Sequence, residues 1–254
     1  MRIGLAIPFY NKGNPLREEI TRASFNHYTL LQKKLATLGV DLHIIFVGSE
    51  LDVSKKFCKP FSNSNTTYVE FNQNYESFKI RDKFNFGLLA LGDRDFYCIC
   101  GSNDFVFLDM FLSIKNNPSI DLMGIKADKR ENNLVVIDYE KRTGFKGSGI
   151  YPDIRFFKVA KNNRIIGGFY AISKRLFNDV GKTPFQTDWD EVGFEAHCIA
   201  NNISRHLVSS KILNIKTDSD ITSYADIKVH HFNGNLTERE MTDYLNYLNK
   251  LKIK

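Results

Sequence analysis

The sequence has little with which to cross-link itself and nothing long enough to anchor it in a bilayer. Four cysteines in 254 residues, at positions 58, 98, 100 and 198, do not make a disulfide framework. A chain of this length is expected to fold on its apolar core alone, in a reducing, cytoplasmic compartment. No stretch approaches the roughly 20 apolar residues of a membrane helix. The opening MRIGLAIPFYN is too short a run for a signal peptide and is interrupted by Pro8 and Asn11. No Gly-x-Gly-x-x-Gly follows the first apolar run, which argues against a dinucleotide fingerprint. The absence of Gly-Lys-Ser/Thr excludes a P-loop. Repeats, low-complexity tracts and linkers are also missing, so residues 1–254 read as one domain.

What is present is an ordinary globular composition, 43% hydrophobic and 25% charged, which rules out a disordered chain. The net charge of +6 and the isoelectric point near 9.0 permit an anionic partner: nucleic acid, a nucleotide or a membrane surface. Apolar runs at 3–7, 42–47, 67–71 and 96–100 predict buried strands. Helical spacing predicts helices over 16–38, closed by Gly39, and over 78–91. Strands alternating with helices through the first hundred residues imply parallel pairing: an α/β protein with a Rossmann-like, mostly parallel sheet flanked by helices. Further on, strands are expected at 122–126, 134–139, 155–159 and 167–172, with a Gly-rich loop over 143–153. Ser173 is expected to cap a short helix through Phe177, and more helices are expected over 191–201 and 237–251. Cys98 and Cys100, on one face of a strand, read as buried hydrophobes.

Ligands of open α/β sheets sit in the crevice beyond the strands' carboxyl ends. Here those ends are Pro8-Phe9-Tyr10-Asn11, Gly48-Ser49-Glu50 and Gly101-Ser102-Asn103-Asp104. The first two offer small and polar groups to a base or ribose. The third offers a carboxylate directly after a buried strand, where a hard divalent cation can bridge protein and diphosphate. Read without that ion, Asp104 closes a turn on Gly101 and caps the next helix.

The opening IGLAIPFYN, the helix carrying Lys79, Lys83, Asn85, Gly87 and Leu88, and the strand-end Ser102-Asn103-Asp104 together resemble a glycosyltransferase of the GT-A fold. The resemblance implies a nucleotide-sugar-binding half over 1–110 and a mixed acceptor-side half over 111–254. In that family an Asp-x-Asp motif ends the fourth strand and holds the metal and the donor's diphosphate. In this sequence Ser102 replaces the first Asp, so Asp104 is the residue carried over as metal ligand. Lys79, Lys83 and Asn85 match the place from which the family reaches the donor nucleotide. Gly167-Gly168-Phe169-Tyr170 resembles the glycine-containing turn beside the acceptor pocket, with Gly167, Gly168, Phe169 and Trp189 as acceptor-side residues. Thr187-Asp188-Trp189-Asp190-Glu191 resembles the acidic segment before an acceptor-side helix. If the reaction inverts configuration, Asp188, Asp190 or Glu191 deprotonates the acceptor hydroxyl; an acidic first helical turn is the plainer reading of the same residues. Many members complete the metal shell with a C-terminal His, and Val229-His230-His231-Phe232 offers His230 and His231.

The expected activity is therefore metal-dependent transfer of a sugar from a nucleotide-sugar, most simply a UDP-sugar with Mn²⁺ or Mg²⁺, to a hydroxyl. Gly101-Ser102-Asn103-Asp104 resembles the motif of small GT-A-like enzymes encoded by bacteriophages, some of which glycosylate hydroxymethylated pyrimidines in DNA; the resemblance implies duplex DNA as acceptor, and the basic charge and the lack of an anchor agree with it. Arg142, Lys146, Arg155 and Lys158 form a basic zone for such a backbone, or simply a solvated face. A soluble or cell-surface saccharide is the rival acceptor. A nucleotidyltransferase and a non-catalytic nucleic-acid-binding module are the rival classes.

Overall fold

A computed structural model of the chain describes residues 1–9, 15–48, 56, 58–71, 80–102, 104–126, 134–138, 156–160, 165–185, 190–209, 212–216 and 228–232. The helix expected over 237–251 and the loop over 143–153 lie outside these residues. The described elements are β1 (Arg2–Phe9), α1 (Pro15–Thr37), β2 (Asp41–Gly48), a 3₁₀ turn (Lys59–Phe61), β3 (Thr66–Glu70), α2 (Ile80–Ala90), β4 (Phe96–Cys100), β5 (Asp104–Val106) and α3 (Leu108–Asn116). They continue with β6 (Leu122–Lys126), β7 (Leu134–Asp138), β8 (Phe156–Ala160), β9 (Ile165–Ser173), α4 (Lys174–Asp179), α5 (Asp190–Ala200), β10 (Arg205–Val208), β11 (Ile212–Lys216) and β12 (Lys228–Phe232).

The main sheet has seven strands in the order β10-β6-β9-β4-β1-β2-β3. All neighbours pair in parallel except β9, which runs antiparallel between β4 and β6. The carboxyl ends of β1, β2, β3, β4, β6 and β10 therefore share one rim. Strands covered on both faces need apolar residues at nearly every position, and β1 and β2 meet that demand by alternation. Ile3, Leu5, Ile7 and Phe9 with Leu42, Ile44 and Phe46 pack toward α1 and α3. Ala6, Ile45 and Val47 face α2 together with Phe84 and Leu88. Cys98 and Cys100 lie in the first of these cores, and all four cysteines are buried free thiols.

The helix ends follow local chemistry. Gly39 terminates α1 with φ +74°, a conformation that costs an L side chain energy. Ser173 caps α4, its Oγ accepting from Leu176 N–H. At the rim's opposite edge, Asp121 gathers three elements. It accepts from Ser173 Oγ (2.9 Å), from Ser204 Oγ (2.8 Å) and from the Arg175 guanidinium. Nearby, Asp93 and Asp95 hold Arg2, and Asp93 also pairs with Lys174.

Gly167 and Gly168 lie within β9, in keeping with the strand expected at 167–172. The glycines fall where β9 bulges against β6, between the pairs Gly124↔Tyr170 and Lys126↔Ile165, and a bulge draws on the same backbone freedom as a turn. Asp104 does not cap a helix: it opens β5, while α3 begins after Phe107, which gives no side-chain cap. Among the described residues no helix is long and apolar enough to cross a membrane.

Gly87 lets α2 sit directly on the sheet. A Cβ there would lie 2.7 Å from Val47 Cγ2 and 2.8 Å from Ala6 Cβ. Gly87→Ala is expected to lower stability by about 1–3 kcal/mol, despite the ~1 kcal/mol that alanine adds to an isolated helix. Urea denaturation checks this, and a stabilised variant would refute the close contact.

Candidate functional site

The site is built on a second, three-stranded sheet in the order β12-β11-β5. β5 has only three residues, so its position depends on what meets its two edges. One edge pairs antiparallel with β11. The other is met by side chains of α1. Tyr28 Oη donates to Asp104 O (2.9 Å) and accepts from Val106 N–H (3.3 Å), and it lies 3.3 Å from Cys100 Sγ. His27 Nε2 is 2.9 Å from Val106 O. A carbonyl only accepts, so this nitrogen carries the proton. Burial pushes the His27 pKa down and the Tyr28 pKa up, keeping both groups neutral.

This clasp fixes Asp104 beside the end of β4. Its side chain is 4% exposed, and Oδ2 accepts from Gly101 N–H at 2.8 Å. The turn on Gly101 read from the sequence is thus present: Asp104 N–H donates to Gly101 O (3.1 Å), and the carboxylate bonds back to Gly101 N–H. Burial, and next the Asp104 charge, raise the Cys100 thiol well above its ordinary range. Ser102 is also buried.

Strand register relates Asp104 to the histidines. Asp104 stands opposite Asn214, and Asn214 opposite His230. Directly opposed residues share a face, so Asp104, Asn214 and His230 form one row. Phe105, Leu213 and His231 form the next row, on the other face. Sequence alone left the two histidines undecided; the register puts His230 on the row of Asp104. Asn214 was not anticipated, and no spacing in the sequence signals it.

The residues read as donor contacts divide. Pro8 and Gly48 end β1 and β2 on the rim, paired in register with Val47 and Phe9 respectively. A Cβ on Gly48 would lie 2.4 Å from Tyr68 Oη, so that glycine makes room for a ring. Lys83 is 1% exposed, and its ammonium donates to Phe9 O (3.0 Å), at the end of β1. Asn85 uses both amide atoms on one residue: Oδ1 accepts from Phe185 N–H (3.1 Å) and Nδ2 donates to Phe185 O (2.6 Å). Lys83 and Asn85, which the sequence reading had reaching a nucleotide, thus both hydrogen-bond backbone. Tyr10, Asn11, Ser49, Lys79 and Asn103 lie outside the described residues.

On the acceptor side, Phe169 is fully buried, with its ring edge-on to Phe111 at 5.7 Å. Asp190 and Glu191 begin α5, while Asp188 and Trp189 lie outside the described residues. α5 is fastened by Glu195, 1% exposed, which accepts from Ile165 N–H (2.9 Å) and from Arg205 (3.1 Å). Among the described residues no group of three or more His, Cys, Asp or Glu side chains clusters as a metal site.

No family model matches the sequence, and no curated protein matches it. In shape the chain is similar to 4-diphosphocytidyl-2C-methyl-D-erythritol synthase from Anaerococcus prevotii, with a TM-score of 0.53 over 97% of this chain and 98% of that one, at 16% identity. Weaker likenesses extend to residues 1–349 of TarS from S. aureus (TM-score 0.48, 15% identity, 82% of this chain and 58% of that one) and to UDP-glucose pyrophosphorylase complexed with UDP-glucose (TM-score 0.46, 11% identity, 84% and 93%). At these identities the likeness is one of fold.

The neutral histidines give the stability a pH dependence. The folded pKa of His27 lies below the ordinary 6.5, and that of His197 is lowered to about 4, both by burial. The unfolded chain takes up these protons first, so stability is full above pH ~6.5 and falls as pH drops below it. His27→Gln keeps a donor for Val106 O and removes one titration. Urea denaturation between pH 7 and 5 is expected to show a shallower acid loss in this variant; identical slopes would refute a neutral, buried His27.

Proposed function

We propose that this chain is a nucleotide-sugar-using transferase that moves a glycosyl group to a hydroxyl acceptor, with residues 1–110 serving the donor and 111–254 the acceptor. The observation that carries the reading is the row Asp104–Asn214–His230, in which Asp104 opens β5 shortly after β4 ends. A carboxylate and an imidazole on one row suit Mn²⁺ or Mg²⁺, and a carboxylate that also accepts from a backbone N–H is typical of an oriented ligand. Asp104 and His230 would hold the ion, which supplies positive charge to offset that developing on the departing diphosphate.

The chemistry of the chain's own residues follows. The acceptor oxygen attacks the donor's anomeric carbon. The bond from that carbon to the diphosphate oxygen breaks, and the diphosphate leaves with the electron pair. In an inverting reaction the hydroxyl proton passes to a carboxylate among Asp188, Asp190 and Glu191. Pro8, Tyr10, Asn11, Gly48 and Ser49 border the base and ribose in this reading, and Lys79 lies just before α2.

Nucleotidyl transfer is the second reading, favoured by the fold likeness to a 4-diphosphocytidyl-2C-methyl-D-erythritol synthase. Against it, PFYNKGNP after β1 is a poor basic glycine-rich loop. Hydroxymethylated duplex DNA as acceptor draws its support from the net charge of +6. The side chains of the basic zone at 142, 146, 155 and 158 lie outside the described residues.

A thermal-shift screen of UDP-, GDP-, CMP- and dTDP-sugars with and without Mn²⁺ tests the reading. Metal-dependent stabilisation by one donor is expected, lost in Asp104→Asn, weakened in His230→Ala and retained in His231→Ala. An unchanged response in Asp104→Asn would overturn the metal site. Release of a nucleoside diphosphate from the donor supports glycosyl transfer, whereas release of pyrophosphate from a nucleoside triphosphate plus a sugar phosphate would establish the second reading. Mass analysis of hydroxymethylated and unmodified duplex DNA, and of added saccharides, then identifies the acceptor.

A further inference from the structure

Four backbone groups of β5 find partners that are not strands. Asp104 N–H donates to Gly101 O (3.1 Å), inside the turn that leaves β4. The other three are met from α1: Asp104 O and Val106 N–H by the Tyr28 hydroxyl, and Val106 O by His27. A phenol has one hydrogen to give and two lone pairs with which to accept. Tyr28 gives its hydrogen to Asp104 O and accepts from Val106 N–H, so the thiol of Cys100, 3.3 Å away, is the donor in their contact. The hydroxyl is then saturated, and its direction is fixed on Asp104 O. One turn further along the same side of α1, Gln32 is tied to the main sheet. Its Nε2 donates to Leu42 O (3.0 Å) and Asn65 O (2.8 Å), and its Oε1 accepts from Thr66 Oγ1 (3.2 Å). A single helix thus grips β2 and β3 at one turn and β5 at the turn before, and the place of Asp104 is referred to the main sheet through Tyr28.

We propose that Tyr28 is a positioning residue for Asp104 and thereby sets the affinity of the site for a divalent cation. This rests on the reading of Asp104 as a metal ligand. Tyr28 is fully buried and acts only through the strand it holds. The Asp104 carboxylate is tied on one side, Oδ2 accepting from Gly101 N–H at 2.8 Å, and its main chain is tied on the other by the phenol. A ligand held at both points meets the ion already oriented, and no ordering is left for the ion to impose. Without the hydroxyl, Asp104 O and Val106 N–H lose a partner in a buried place, and β5 must shift to find others.

The test uses the full chain as wild type, Tyr28→Phe, His27→Leu and Gly87→Ala. Mn²⁺ is titrated alone and with UDP, and the free ion is followed by its paramagnetic resonance signal. Melting curves set a temperature at which each variant is folded. Tyr28→Phe is expected to weaken Mn²⁺ binding by ~10- to 100-fold. His27→Leu, which frees Val106 O on the same strand, is expected to weaken it in the same direction by less. Gly87→Ala is the control for lost stability, because its contacts with Ala6 and Val47 lie on the other face of the main sheet. Its Mn²⁺ affinity is expected to stay within about twofold of wild type. Wild-type Mn²⁺ affinity in Tyr28→Phe would overturn the proposal and leave the clasp structural. An equal loss in Gly87→Ala would also overturn it, tracing the effect to stability alone. Should Tyr28→Phe not fold, wild-type affinity in His27→Leu overturns it. A wild type that binds no Mn²⁺ under either condition, or an Asp104→Asn variant that binds it as well as wild type, would instead overturn the reading of Asp104 as a ligand.

Discussion

A strand of three residues cannot hold its own place, and the candidate site depends on one. β5 is kept at the rim because β11 pairs with one of its edges and Tyr28 and His27 cover the other. An open strand edge buried in a protein leaves amides and carbonyls that cost free energy unless they are met. α1 meets them with a phenol and an imidazole, and α1 is itself fixed by Phe25 against Phe46 and by Leu35 in the core. The arrangement works only while both rings stay neutral, and their burial ensures that. Asp104 therefore inherits its position from a helix that begins ninety residues before it.

Much of the frame was legible in the sequence because its causes are local. Strands covered on two faces need uninterrupted apolar runs, and the runs at β1, β2 and β4 announced them. Ser173 and Gly39 marked helix ends through their own chemistry. β5 and α3 were not legible. Residues 105–112 read FVFLDMFL, and the one polar residue, Asp109, falls inside the helix and not at the boundary between strand and helix. β5 is a strand because of partners distant in the chain. Gly167-Gly168 signalled irregular backbone, and the sequence could not say whether a turn or a bulge would use it.

The site shows the same division. A carboxylate at a strand end is a sequence-level signal; Asp104 opens β5 and turns its carboxylate back to Gly101 N–H. Whether an amide on a helix faces a ligand or a backbone is decided by what lies across from it, and for Asn85 that is Phe185, a hundred residues on. His230 and His231 are adjacent in sequence and differ only in the ladder row that each joins, which is a property of three strands together. Glycines precede Phe169, and the alternation of β9 packs its ring in the core.

The Asp121 hub and the Arg2–Asp93–Lys174 pairs all lie at the sheet's amino-terminal edge, away from the strand ends that border the crevice. Fastening and the proposed chemistry thus occupy opposite borders of the same platform. One consequence is evolutionary latitude. Loops on the working border can be lengthened, shortened or recharged without disturbing the ionic stitching on the other, so related chains can come to accept quite different substrates while the scaffold beneath them stays recognisable long after sequence similarity has faded.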